Sequence, residues 1–96
     1  MPPAQTRETK TAVFQAASEA FDGAMVSVVL YPPEHPKLAK RQMLEPHIGV
    51  RVQFSGFAVA GMVPENADAA TIDKLMARLK LDRRMAEDAM KPKPAV

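Results

Sequence analysis

From Ile48 to Val63 the chain reads IGVRVQFSGFAVAGMV, with apolar residues alternating on both sides of a Ser55-Gly56 break. Alternation of this kind is the mark of a half-buried strand, and a two-residue break containing glycine is the mark of a hairpin. Folding the segment about Ser55-Gly56 sets Phe54 opposite Phe57, Val52 opposite Val59, Val50 opposite Gly61 and Ile48 opposite Val63. Both apolar sets then share one face, so register and burial agree. The segment therefore predicts a small antiparallel sheet with one sticky face, and it names no reaction and no ligand.

The remaining elements are placed around that hairpin. Thr9 or Thr11 is suited to cap a helix reaching Asp22, with Val13, Phe14, Ala17 and Phe21 as its buried stripe and Gly23 as its end. AMVSVVLY, residues 24–31, is β-branched and almost wholly apolar, which predicts a strand covered on both sides or central in the sheet, stopped by Pro32-Pro33. A short helix is expected from Glu34 to Leu44, with Pro36 near its start and Leu38, Gln42 and Met43 as a thin stripe. After Pro64, Asn66 or Asp68 can cap a helix carrying Ile72, Leu75, Met76 and Leu79. A second helix, Asp82 to Met90, is expected to turn Met85 and Ala89 inward and to end before Pro92. The expected order is αβαββαα, a two-layer α+β domain with a three-stranded antiparallel sheet. Its expected extent is 9–90, between flexible tails at 1–8 and 91–96.

Composition removes several functional classes. The 96 residues include no cysteine, which excludes disulfide frameworks, thiol catalysis and thiolate-bound metals, and suits a reducing cytoplasm. The apolar runs at 24–26 and 28–31 are far shorter than the roughly 20 residues that span a bilayer, and no secretory segment precedes them. No Gly-x-Ser-x-Gly elbow, phosphate-binding glycine loop or dinucleotide fingerprint is present. A non-enzymatic protein without cofactor, metal or catalytic residues is expected. The net charge of +2 is uneven: residues 24–64 carry four basic and two acidic side chains, while residues 1–23 carry two and three.

Four groups of residues are candidates for function. Lys74 to Met90, KLMARLKLDRRMAEDAM, resembles the core of a helix-turn-helix motif, with Leu75, Leu79 and Leu81 at packing positions, Lys80 at the turn, and Ala86 and Ala89 on the recognition helix. It departs from that pattern at Met76, where a small residue is wanted, and at Glu87 and Asp88, which phosphates would repel. The resemblance implies a nucleic-acid-binding regulator using Arg83 and Arg84; apart from it, a second basic cluster, Lys37, Lys40 and Arg41 on one face of the short helix, is placed to contact phosphates together with Arg51 on the non-core face of the hairpin. His35 and His47, each near a glutamate (Glu34 and Glu45), are the only imidazoles, and their spacing fits no short metal signature. The outward face of the hairpin sets Arg51, Ala58, Ala60 and Met62 beside Gly49 and Gln53, a surface of small apolar residues that a helix or a second copy would cover. The leading expectation is thus a cytoplasmic binding or regulatory protein that docks a protein partner through Arg51, Ala58, Ala60 and Met62, and forms a homodimer.

Overall fold

The computed structural model describes residues 3–43 and 45–91. The elements are α1 (Pro3–Ala20), β1 (Met25–Tyr31), α2 (Pro36–Lys40), β2 (His47–Gln53), β3 (Ala58–Pro64) and α3 (Ala69–Met90). The strands form one antiparallel sheet in the order β1-β2-β3. This is an α+β fold.

The hairpin pairs as its alternation requires: Val52 lies opposite Val59, Val50 opposite Gly61 and Ile48 opposite Val63. Phe54 donates its amide to the Phe57 carbonyl at 2.8 Å, and Gly56 takes the left-handed φ of +87° that closes the turn. β1 then adds to the other side of β2, with Val26 opposite Val52, Val28 opposite Val50 and Leu30 opposite Ile48. The apolar strand 24–31 is consequently an edge strand, not a central one. β2 is central, with β1 on one side and β3 on the other.

Both long helices pack on the face that carries Ile48, Val50, Val52, Val59 and Val63. In α1 the buried positions recur every four residues, Thr9, Val13, Ala17 and then Phe21 just past its end, so one stripe meets the sheet. Phe14 lies off that stripe and is about half exposed. The helix begins at Pro3, ahead of the caps expected at Thr9 or Thr11, because proline is well placed in a first turn whose amides need no intrahelical partner. Gly23, with φ of +85°, turns the chain into β1.

The short helix α2 is cut to five residues. The His35 side chain caps it by accepting from the Lys37 amide, its buried Leu38 anchors it, and Gln42 leaves it through a left-handed φ of 57°. Leu44, the expected end of that element, lies outside the described residues, as do residues 1, 2 and 92–96 of the expected tails.

α3 is one continuous helix of 22 residues, so the turn expected between Leu81 and Asp82 does not form. Asp68 caps it, accepting from the Thr71 amide at 2.8 Å and the Thr71 hydroxyl at 2.7 Å. These two bonds hold the Asp68 carboxyl below the ordinary value of 3.8. Ile72, Met76 and Leu79 are buried against the sheet, while Leu81, Met85 and Met90 are exposed. Met85 and Ala89 do not turn inward, because at about 3.6 residues per turn they fall off the stripe of Ile72, Met76 and Leu79, which continues instead to Arg83 against Phe54.

Candidate functional site

Because α1 and α3 share one face of the sheet, the other face is left bare of both. Its outward residues are Met25, Ser27, Val29 and Tyr31 on β1, His47, Gly49, Arg51 and Gln53 on β2, and Ala58, Ala60, Met62 and Pro64 on β3. None of them is acidic. Their middle forms a recess of about 340 Å³, floored by Ser27, Val29, Gly49, Ala60 and Met62, with Tyr31, Lys37, Arg41 and Arg51 rising around it.

Each wall residue is positioned by a local device. Tyr31 lies diagonally across from Gly49, and its ring rests on the glycine so closely that a Cβ there would collide with Tyr31 Cε2. The ring packs against the His35 imidazole at 4.7 Å, and the Lys37 ammonium stands 5.3 Å from the ring centroid. α2 is thereby held at the Tyr31 end of the recess. Arg51 donates to the Gln53 side chain at 2.8 Å, and the Gln53 amide donates in turn to the Phe54 and Phe57 carbonyls, each at 2.9 Å. The hairpin turn thus braces Arg51 over the sheet. Among the described residues, the ion pairs are Arg78 with Asp82, Arg83 with Glu87 and Lys91 with Asp88. The cations around the recess take part in none of them.

The residues expected to bind a partner, Arg51, Ala58, Ala60 and Met62, all lie on this one face. The residues expected to bind nucleic acid do not come together. Lys37 and Arg41 line the recess, whereas Arg83 and Arg84 belong to α3 on the opposite side of the sheet. The Arg83 guanidinium stacks 4.4 Å from the centroid of Phe54, which itself meets Phe21 edge-on at 5.7 Å and stacks on Phe57 at 4.9 Å. Arg83 Nε is buried without a hydrogen bond, the Glu87 carboxylate standing 3.7 Å away. Arg83 is a packing residue of the aromatic cluster, and without the turn at Lys80 the helix-turn-helix arrangement is absent.

The two histidines also have structural partners. His35 Nδ1 accepts from the Lys37 amide at 3.2 Å, and His47 Nδ1 lies 2.8 Å from the Glu45 carbonyl oxygen. Among the described residues no three His, Asp or Glu side chains gather as a metal site. A second, larger cleft of about 420 Å³ opens where α1 and the start of α3 diverge, lined by Ala12, Ala16, Ala69 and Ile72 with Glu8 and Asp73 at its rim. It is a gap left by alanines between two helices, with Glu8, Thr9 and Asp73 as its polar lining.

The sequence grouped Lys37 and Arg41 with Arg51 and the recess brings those three together; what sequence reasoning missed is that Tyr31 belongs with them on the Met62 face. The signal was the outward glycine at position 49, a bare spot that a neighbouring aromatic can fill. No described helix is long and apolar enough to cross a membrane. Compared with protein families, curated proteins and solved structures, the chain matches none.

Proposed function

We propose that this chain is a non-enzymatic binding protein, regulatory in kind, that docks a protein partner on the face of the sheet left bare by α1 and α3. One observation carries the reading: the face is recessed over Ala60 and Met62, with Ala58 beside them on β3 and Arg51 braced above. Small side chains on a sheet let another backbone approach closely, and an uncovered apolar surface of this kind is a common mark of an interaction site. The absence of cysteine supports a cytoplasmic setting. A homodimer built by stacking this face on its own copy is disfavoured, since the face carries Lys37, Arg41 and Arg51 and no acidic residue, and an isologous contact would bring two such surfaces together.

Ala60→Glu tests the reading. Position 60 lies opposite Arg51 on the exposed side of β3, so a glutamate there fills the recess and pairs with the arginine without entering the core. A protein retained by the immobilised native chain and lost from Ala60→Glu, with circular dichroism unchanged, is the expected result. The same set of bound proteins on both columns overturns the reading.

A further inference from the structure

The hydrogen-bond ladder determines which backbone groups of β1 have no partner. Phe54 bonds to Phe57 at one end of the hairpin and Glu65 to Pro46 at the other. Between them bonded and non-bonded pairs alternate, so Ile48, Val50 and Val52 spend their N–H and C=O groups on β3. His47, Gly49, Arg51 and Gln53 then turn theirs toward β1, where they meet Tyr31, Val29, Ser27 and Met25. By the same alternation the N–H and C=O groups of Val26, Val28 and Leu30 point away from the sheet, along an unpaired edge.

That edge lacks the usual protection. Met25–Tyr31 contains no charge and no proline. Exposed edges normally carry such residues, because a row of open donors and acceptors is a template for another strand. Met25 is 71% exposed, Val29 45% and, on the helical side, Leu30 41%. β3, the other edge, lies under the main contact with α3 and ends at Pro64, whose carbonyl already accepts from Ala67.

A strand added beside β1 would direct alternate side chains to the two faces of the sheet. On one face they meet the recess, where Lys37, Arg41 and Arg51 have no carboxylate among them. On the other they meet the exposed apolar flank at Leu30. On the docking reading above, we propose that β1 accepts an extended segment of a partner protein, in which acidic residues alternate with apolar ones, as a fourth strand. Backbone bonds to Val26, Val28 and Leu30 would supply affinity, and the cations over the bare face would select the acidic residues. Nucleic acid fits less well. It has no strand-spaced alternation of donors and acceptors to match the row of peptide N–H and C=O groups, and Tyr31 already rests on Gly49 with one side of its ring.

The probe is a fluorescein-labelled octapeptide of alternating glutamate and valine, titrated into the native chain, with residue-level amide exchange followed by NMR. In the free chain the amides of Val26, Val28 and Leu30 are expected to exchange quickly and those of Ser27, Val29 and Tyr31 slowly. The peptide is expected to protect the first three. Lys37→Glu/Arg41→Glu, both exposed and outside the core, gives up the Lys37 contact with the Tyr31 ring, so it is expected to stay folded with a slightly lower melting temperature and to weaken binding by about tenfold or more, as the loss of two charge contacts allows. A block peptide of four glutamates then four valines, a lysine–valine octapeptide and a ten-residue oligothymidylate serve as comparisons.

Four results would overturn the proposal: no added protection at those three amides, binding indifferent to the charge reversal, equal binding of the block or lysine peptide, or preferential binding of the oligothymidylate. Protection of the same amides in the free chain that grows with concentration would also overturn it, by assigning the edge to a second copy. If the octapeptide fails while Ala60→Glu still abolishes capture of a protein, the docking face stands and only the acidic strand is lost.

Discussion

A single glycine shows how the site depends on side chains being absent. Gly49 seats the Tyr31 ring, and the ring in turn holds His35 and Lys37 at the end of the recess. Besides the collision at Cε2, a Cβ at position 49 would lie 3.2 Å from Cδ2 and 3.3 Å from Cζ, so the whole ring must lift. Gly49→Ala is therefore expected to cost about 1–2 kcal/mol, in the range of small overpacking changes, and to change the tyrosine emission. The chain has no tryptophan and one tyrosine, so that emission reports on Tyr31 alone. Unchanged emission and stability would mean that the ring does not depend on the glycine. The opposition of Gly49 to Met62 was legible, because the turn at Ser55-Gly56 sets the register of the hairpin. The seating of Tyr31 was not, because β1 joins β2 across a long connection and nothing local specifies that register.

At the scale of elements, what the sequence resolved poorly was exposure. β1 reads as a buried strand because its residues are apolar, yet it lies at an edge. Composition reports what a residue prefers, whereas strand order decides what it receives. The same confusion divided α3 in two. Ile72, Met76 and Leu79 form a clear stripe that lapses at Leu81, and a lapsing stripe resembles the end of a helix. The backbone signals say otherwise: no glycine or proline interrupts residues 69–91, so the helix continues, and its packing stripe passes from Leu79 to a charged residue, Arg83, on the Phe54 ring. Lys80 separates the two readings. Within a continuous helix, Lys80→Gly is expected to cost about 1 kcal/mol and Lys80→Pro about 3 kcal/mol or more, read as falls in the urea midpoint. At a helix-turn-helix turn, where glycine is the usual residue, Lys80→Gly would be neutral or stabilising. That result would restore the turn.

Taken as a whole, the molecule has two sides with separate tasks. The helical side holds the fold together at the hairpin end, where Phe21 after α1, Phe54 and Phe57 flanking the turn, and Arg83 of α3 form one cluster. The bare side carries the recess and its cations. A sheet one residue thick separates them, and substitutions with no shared partners more than about 7–10 Å apart usually act additively. The two basic groups that look alike in sequence should therefore respond in opposite ways. Arg83→Ala removes the cation from the Phe54 ring and is expected to lower stability by about 1 kcal/mol, a fall of roughly 4–8 °C in Tm for a domain of this size, while leaving affinity for an acidic strand unchanged. Lys37→Glu/Arg41→Glu is expected to lower that affinity and to lower Tm by less than Arg83→Ala does, since the Lys37 contact with Tyr31 is exposed. Combining all three substitutions should give both effects at full size, with no coupling between them. Should Arg83→Ala instead weaken anion binding as much as the reversal on α2, the molecule would be using both sides of its sheet for one ligand. The sharing of work between a stabilising arginine and a recognising pair would then have to be abandoned.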